Sequence, residues 1–168
     1  MLKIMHVLPS LEVAGAEIMT ENLITSISKA GYDVSVVSLY SYRSPITERL
    51  EKRGIRVYYL DKKPGLDLSM IKKLQKLFLL SRPTILHTHL HVLKYTIPGA
   101  IMARIPVRVH TVHNIAEREV GSFESKIHGL AFAHLRVQPV AISPRVQDSI
   151  ASKYRIPKTS IPIILNGS

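Results

Sequence analysis

The residues best suited to chemistry in this chain are histidines, and they cluster in two short segments. His87, His89 and His91 alternate along one segment, and His113 directly follows the apolar run 107–112. A neutral imidazole donates or accepts a hydrogen bond and transfers protons near neutral pH. We therefore expect His113 to contact a polar ligand, together with one or two of the alternating histidines, His89 among them.

A metal site is an alternative use of the alternating histidines, because residues two apart share one face of a strand. The sequence around them contains no Asp, Glu or Cys, and the strand before them is expected to end near His87. We therefore predict no metal here; a structural, hydrogen-bonded histidine is the second alternative. His110 lies inside a predicted strand, which favours a position in the core.

A loop of small residues forms a second candidate site. Ala14, Gly15 and Ala16 stand between an apolar run that ends at Pro9 and a long amphipathic segment. The first N–H groups of a helix have no partner within the helix and lie at its positive end, where an anion binds. We expect these three residues to bind a phosphate group. A loop that needs glycine only in order to turn is the alternative.

Three charged or hydroxylic residues have both a functional and a structural interpretation. Ser143 and Arg145 begin a predicted helix and can face a ligand at its start. Ser143 can equally serve as an N-cap. Glu17 lies in the first turn of its helix, where its charge stabilises the helix without any substrate.

These residues must be positioned by strands and helices that alternate along the chain. Apolar runs indicate strands, and apolar residues at helical spacing indicate helices. The predicted strands are 2–8, 34–39, 55–59, 84–87, 107–112, 137–142 and a short one at 161–165. The predicted helices are 16–30, 44–53, one begun by Asp67 and closed by Pro83, one ending at 103, 122–135 and one beginning at 143. This order predicts an α/β fold, a Rossmann-like three-layer α/β/α sandwich with a mainly parallel sheet.

Loops at the carboxyl ends of parallel strands share one edge of the sheet, and ligands bind there where the strand order reverses. The rule selects four loops: 9–17, 87–91, 113–119 and 143–145. We expect the helix tip at Gly15 and the imidazole of His113 to face one crevice. The third helix is expected to bury Leu68 and Phe78 and to expose a lysine face, which is either solvated or bound to an acidic membrane surface.

Composition limits the function classes. The 168 residues, 46% of them hydrophobic, fit one globular domain. With no cysteine, no long apolar run and no secretory leader, we expect a cytoplasmic location. The net charge of +11 attracts phosphates, acidic lipids or nucleic acid. Basic and aromatic residues do not interleave, so we expect no nucleic acid as partner.

The sequence lacks several motifs that are typical of other enzyme classes. It contains no Gly-x-Gly-x-x-Gly, and the second strand ends at Tyr40 without an acidic residue for a ribose, which disfavours a nicotinamide cofactor. It also contains no Gly-x-Ser-x-Gly and no P-loop, which disfavours hydrolase and P-loop chemistry. The chain stops at Asn166-Gly167-Ser168, a turn signal directly after a strand, so we expect a further element beyond it.

Five motifs in order resemble the amino-terminal domain of family-4 glycosyltransferases of the GT-B fold. They are Val13-Ala-Gly-Ala-Glu17, Ile85-Leu-His-Thr-His89, Val109-His-Thr-Val-His-Asn114, Val140-Ala-Ile-Ser143 and Ile164-Leu-Asn-Gly167. The resemblance implies that the chain is the acceptor-side half of a two-domain enzyme whose donor-binding domain lies outside these 168 residues. It implies transfer with retention of configuration, without metal or cofactor, from a nucleotide-sugar to a glycan or lipid-linked acceptor.

The resemblance also implies roles for single residues. His113 matches the family histidine that positions the donor sugar, and Ala14, Gly15 and Ala16 match the loop near the donor phosphates, with Ala14 in place of a usual glycine. The segment from Asn114 to Gly121 corresponds to the acceptor region, and we assign Ser143 and Arg145 to the sugar or acceptor as well. The rival hypothesis is a non-catalytic Rossmann-like module that binds phosphorylated lipid or nucleic acid through its charge.

Overall fold

The structure is a computed structural model that describes residues 2–165. Within this range the chain forms six strands and seven α-helices, which alternate almost throughout. The strands are Lys3–Leu8 (β1), Asp33–Ser38 (β2), Arg56–Tyr59 (β3), Ile85–His89 (β4), Val107–Val112 (β5) and Val137–Ala141 (β6). The helices are Gly15–Lys29 (α1), Pro45–Lys52 (α2), Ser69–Ser81 (α3), Leu93–Met102 (α4), Ala116–Glu119 (α5), Ser122–His134 (α6) and Pro144–Tyr154 (α7).

The six strands form one parallel sheet in the order β3-β2-β1-β4-β5-β6. The order reverses between β1 and β4, and this reversal opens a crevice at their carboxyl ends. The α/β fold with a parallel sheet is therefore confirmed. The register pairs His6 of β1 with His87 of β4, and His89 of β4 with Thr111 of β5.

Side chains of each strand alternate between two layers of helices, since successive residues of a strand point to opposite faces. On the first face, Leu8 and Val36 pack with Ile24 of α1 and Leu50 of α2. This face includes His6, because His6 lies two residues before Leu8. The first layer therefore consists of α1 and α2, over β1 and β2.

The second face carries most of the helices. Met5 and Val37 pack there with Phe78 of α3 and Tyr95 of α4. Further along the sheet, strands β5 and β6 pack against α4, α6 and α7 in a second buried cluster; its members include Ile97, Val112, Phe132, Ala141 and Ile150. The two layers and the sheet make the predicted three-layer sandwich.

Several predicted boundaries are wrong. β4 continues to His89. The segment 161–165 forms only an isolated parallel bridge, between Ala141 and Ile163. The polar segment after β5 contains the short helix α5. The N-cap of α3 is Leu68, which is 63% exposed and not buried as expected. Asp67 precedes this position, and its carboxylate accepts hydrogen bonds from the backbone N–H and the hydroxyl of Ser69.

The motif that ends at Gly167 lies outside the described residues, except for its first two members. Among the described residues, no helix combines the length and apolar character that a membrane crossing requires.

Candidate functional site

The start of α1 is an open helix tip at the carboxyl end of β1. Ala14 is its N-cap, with extended backbone, and within the described residues no side chain caps this end. Ala14 and Gly15 are exposed, and a Cβ built on Gly15 meets no atom within 4 Å. Neighbouring residues therefore do not require a glycine here, whereas a methyl group would narrow the approach of a ligand to the first N–H groups.

The loop before α1 is held from a second element. The hydroxyl of Ser44, the N-cap of α2, donates to the carbonyl of Leu11, and Leu11 is fully buried. Ser44 also accepts from the backbone N–H of Thr47 at 3.2 Å, and the Thr47 hydroxyl accepts from the Ser44 backbone N–H at 2.9 Å. This reciprocal cap makes the anchor for the loop rigid.

Glu17 is 7% exposed, and burial raises the pKa of its carboxyl. It lies in the first turn of α1, as the structural interpretation required. The negative charge of this carboxylate lies in the first turn, where it interacts favourably with the positive end of the helix.

Three histidines form one connected row: His6 lies in β1, His89 lies in the adjacent β4, and His113 directly follows β5. The Nδ1 atom of His6 lies 3.1 Å from Nε2 of His89, and Nδ1 of His89 lies 3.0 Å from Nε2 of His113. His6 and His89 are fully buried, and His113 is partly exposed. We call these three residues the imidazole row; it runs from the interior to the carboxyl edge of the sheet.

The row is neutral near pH 7. Burial lowers the pKa values of His6 and His89 well below the usual range, and the neighbouring His87 lowers both further. Burial lowers the pKa of His113 to about 4. A low pKa leaves each ring with one N–H donor and one acceptor nitrogen.

His87 lies beside the row on the same face. Its Nε2 atom lies 2.7 Å from the hydroxyl of Thr111, and its ring centroid is 4.3 Å from that of His89. His87 and Thr111 line a groove of about 450 Å³ between α1 and strands β4 to β6, whose walls include Leu23, Val109 and Leu165. The groove follows from the layer arrangement, since α1 and α2 cover mainly the opposite half of this face.

The loop after β5 is held by a partly buried carboxylate. Glu119 accepts a hydrogen bond from the backbone N–H of His113 at 3.2 Å. Burial raises the pKa of Glu119 to about 7, although hydrogen bonds from the His113 and Asn114 backbones oppose the rise. This contact fixes the backbone that carries the outermost imidazole.

The remaining predicted site residues lie near the same edge but are not in the row. Asn114 is exposed, and its side-chain oxygen accepts from the backbone N–H of Ile115 at 2.8 Å. Ser143 accepts from the backbone of Val146 at 3.2 Å and is the N-cap of α7. Arg145 is exposed in the first turn of α7.

His110 occupies the core, as the sequence predicts, and it lies on the second face of the sheet. Its Nδ1 atom is 2.9 Å from the hydroxyl of Thr88, and it is fully buried. Its ring meets that of His128 edge to face, with centroids 4.8 Å apart. The sheet therefore separates this pair from the imidazole row.

One group of three histidines could offer nitrogens to a metal ion. In the described part of the chain, ring nitrogens of His6, His87 and His89 lie within 4.8 Å of one another. The hydrogen bonds to His113 and Thr111, and the one between His6 and His89, already engage most of these nitrogens. The arrangement forms a hydrogen-bonded network, and Nε2 of His6 is a buried nitrogen of this group without a partner among the described residues.

Sequence reasoning missed His6 and Glu119. His6 looked like a polar interruption of an apolar strand, and only the pairing of β1 with β4 places it against His89. Glu119 belonged to a predicted polar loop, and its position five residues after Asn114 gave no signal of burial. The expectation that the helix tip and His113 lie at one edge of the sheet agrees with the strand order. Only β4 separates β1 from β5, so these two strands lie about 10 Å apart.

Solved structures share this fold. The Anabaena protein HepE, in its complex with UDP and glucose, aligns with a TM-score of 0.78 and 17% identity over 100% of this chain and 45% of its own. A glycosyltransferase from Rickettsia africae aligns with a TM-score of 0.73 and 13% identity over 99% and 43%. A UDP-GlcNAc 2-epimerase from Neisseria meningitidis, bound to UDP-GlcNAc, gives a TM-score of 0.68 and 16% identity over 96% and 45%.

The chain thus spans less than half the length of each of these proteins, and at these identities the likeness concerns the fold. No curated protein matches the chain in sequence. The family model described as Glycosyltransferase Family 4 matches residues 13–167, which include the helix tip, the β4 histidines and His113. The chain therefore belongs to Glycosyltransferase Family 4, as its motifs predict.

Proposed function

We propose that this chain is the acceptor-side half of a retaining, metal-independent glycosyltransferase. Its substrates are a nucleotide-sugar donor and a glycan or lipid-linked acceptor. The observation that carries the proposal is the pairing, at one sheet edge, of an uncapped helix tip with a neutral histidine. A helix tip suits a diphosphate, and a neutral imidazole suits a sugar hydroxyl.

The residues divide between the two ends of the donor. Ala14, Gly15 and Ala16 bind the diphosphate through backbone N–H groups, and the exposed position of Gly15 leaves room for it. His113 orients the sugar. The fold relatives solved with UDP, UDP-glucose or UDP-GlcNAc support a nucleotide-sugar as the ligand.

The acceptor occupies the neighbouring loops. Asn114 and Arg145 are exposed and supply polar and cationic contacts to a glycan or to a lipid-linked phosphate. A second, donor-binding domain closes the crevice and supplies the basic residues that stabilise the leaving diphosphate. We place the enzyme in the bacterial cytoplasm, at the inner face of the membrane, in surface polysaccharide synthesis. The charge of +11 supports contact with acidic lipid.

The test is a nuclear magnetic resonance titration of the isotope-labelled chain with UDP-glucose, UDP-GlcNAc and DNA. We expect weak binding of a nucleotide-sugar, with shift changes at Gly15, Ala16 and His113. Shift changes confined to other surfaces contradict the proposed site. DNA binding that is strong at low salt and collapses as salt rises favours the non-catalytic rival instead.

A sugar-transfer assay on the same 168 residues tests the two-domain part of the proposal. The chain alone is expected to be inactive, because the leaving diphosphate lacks half of its contacts. Measurable transfer by the chain alone overturns the requirement for a second domain.

A further inference from the structure

The imidazole row is a chain of hydrogen bonds in which every proton can be counted. His89 uses both ring nitrogens, with Nε2 at 3.1 Å from Nδ1 of His6 and Nδ1 at 3.0 Å from Nε2 of His113. Each N–H···N contact needs one proton between its two nitrogens. Each neutral ring carries one proton, so the direction of one contact dictates the direction of the next.

Two arrangements satisfy this count. In the outward arrangement, His6 donates from Nδ1 to His89, His89 donates from Nδ1 to His113, and His113 carries its proton on Nδ1. In the inward arrangement, His113 donates from Nε2, His89 donates from Nε2, and His6 carries its proton on Nε2. The two arrangements present opposite groups to a ligand, since Nδ1 of His113 is an N–H donor in the first and a lone pair in the second.

The buried end of the row selects between them. Nε2 of His6 is buried and has no hydrogen-bond partner among the described residues. In the inward arrangement this atom is an N–H group without an acceptor, and in the outward arrangement it is a bare lone pair. In folded proteins, orphaned buried N–H groups are rarer than buried acceptors without a partner. The buried end of the row therefore favours the outward arrangement.

The surroundings of the row do not reverse this preference. The ring of His87 lies 4.8 Å from that of His6, but its Nε2 is engaged with the hydroxyl of Thr111. The backbone N–H of His113 is held by Glu119, which fixes the loop and leaves the ring bonded to His89. The contacts of the described residues therefore leave the two ends of the row to set its direction.

We propose that His6 and His89 are positioning residues that hold His113 as its Nδ1–H tautomer, so that His113 is a neutral hydrogen-bond donor to a substrate oxygen. The oxygen belongs to a sugar hydroxyl or to a phosphate. A general base at this position is excluded by the same arrangement, because the nitrogen that faces a ligand already carries a proton. The identity of the acceptor oxygen rests on the proposed function; the tautomer does not.

The primary test measures the tautomer directly in the 168-residue chain, with ¹⁵N-labelled histidine and at neutral pH. We expect a pyrrole-type shift at Nδ1 of His113, a pyridine-type shift at Nε2, and scalar couplings across both N–H···N contacts. A pyrrole-type Nε2, or the averaged shifts expected of the exposed His134, overturns the proposal. This measurement does not depend on enzymatic activity, so it tests the tautomer of His113 even if the proposed function is wrong.

A metal arm distinguishes the row from a metal site. Zn²⁺ is added to the labelled chain up to one equivalent, since three neutral imidazoles are ligands that it prefers. We expect the His6, His87 and His89 resonances to stay unchanged. Their joint displacement at one equivalent assigns these residues to a metal site and contradicts the row.

Variants test the effect on catalysis in the two-domain enzyme. His89→Phe removes both contacts and is expected to lower kcat about 10-fold, the equivalent of one orienting hydrogen bond, with little change in KM for the acceptor. His89→Asn keeps an amide near the Nδ1 position and should recover most of kcat. His128→Phe removes a buried histidine on the opposite face and controls for lost stability. Equal kcat values for His89→Phe and His128→Phe reduce His89 to a structural residue.

Discussion

Nδ1 of His89 and Nε2 of His113 lie 3.0 Å apart, although one residue is buried within β4 and the other follows the end of β5. The contact links the interior of the sheet to the crevice where the strand order reverses. The orientation of the His113 ring is therefore determined by a contact with the core. In the proposed enzyme, specificity for the donor depends on residues that never touch it.

Replacement of His113 tests its role at the donor sugar. His113→Ala in the two-domain enzyme is expected to lower kcat about 100-fold, the scale of one lost electrostatic contact to the reacting group. The free energy of unfolding should fall by only about 1 kcal/mol, because a partly exposed ring loses one hydrogen bond. Steady-state kinetics and urea unfolding measure the two effects. Wild-type turnover removes His113 from the mechanism.

Gly15→Ala separates ligand approach from folding. The substitution should leave stability unchanged or raise it by up to about 1 kcal/mol, because alanine favours helices and its Cβ meets no atom. Affinity for a nucleotide-sugar should decrease. Calorimetric titration measures the affinity, and thermal unfolding measures the stability.

Gly31→Ala is the matched control for Gly15→Ala. Gly31 has φ of +86° and also open space around its Cα, so alanine there strains the backbone. It should lower stability by about 1 kcal/mol without changing affinity. An unaltered affinity in Gly15→Ala argues against phosphate binding at the helix tip.

Acid should unfold the protein steeply. Burial lowers the pKa values of His6, His89 and His110 well below the usual range and that of His87 to about 3, so the unfolded chain binds more protons below about pH 6.5. Stability is then complete above that pH and is lost as pH falls toward the folded pKa values. Each residue lowers the free energy of unfolding by up to about 1.4 kcal/mol per pH unit, which amounts to about 6 kcal/mol per pH unit for the four.

That loss matches the entire stability of many domains, so we expect the unfolding midpoint near pH 5, followed by circular dichroism. His110→Gln should flatten the pH slope by about one proton. A constant free energy of unfolding from pH 7 to pH 4.5 contradicts the assignment of neutral buried histidines.

Glu119 has the opposite pH dependence. Burial raises its pKa to about 7, above that of an unfolded glutamate, so its contribution to stability is complete below about pH 4.5 and is lost as pH rises through 7. Glu119→Gln should therefore match the wild type near pH 4.5 and exceed it at pH 8, by up to about 3 kcal/mol. Urea unfolding at the two pH values measures this. The same difference between variant and wild type at both pH values contradicts the raised pKa of Glu119.

The helices of the first face are joined by an ion pair whose value can be measured. Glu21 is 7% exposed and accepts from Arg49 at 2.7 and 2.6 Å, with Arg53 at 3.3 Å. Arg49→Leu leaves the carboxylate with one weaker partner and should cost about 1–2 kcal/mol, less than a fully buried pair because Arg49 is partly exposed. Arg43→Leu, which breaks the exposed contact with Glu51, should change stability by less than about 0.5 kcal/mol.

The sheet and its helices were predictable because their signals are local. Runs such as 107–112, and caps such as Ser44 with Pro45, carry strand and helix information within a few residues. The prediction of a strand at 161–165 was wrong because an apolar run does not show whether a neighbouring strand is free to pair along its whole length. The prediction that Leu68 is buried was wrong because the helix begins at Ser69, which leaves Leu68 at the exposed N-cap position, and Met70 is buried instead.

The site was only partly predictable, because its central contact is long-range. His113 and Gly15 follow strands, so topology alone brings them to one edge. The contact between His6 and His89 spans 83 residues and depends on the strand order and on the register of β1 with β4. Neither is encoded near His6, so its role emerges only from the folded chain.

The alternating directions of the side chains in β4 and β5 determine where insertions and deletions can be tolerated. His87, His89 and Thr111 lie on the first face of the sheet, with the imidazole row, whereas Thr88 and His110 lie on the second face, where His110 packs against His128. Deletion of a single residue within either strand moves the side chains that follow to the opposite face. It therefore breaks the hydrogen bonds of the imidazole row and the core packing together. Insertions and deletions should therefore be tolerated only in the connections between strands, which makes the spacing inside each strand a fixed constraint for engineering this domain.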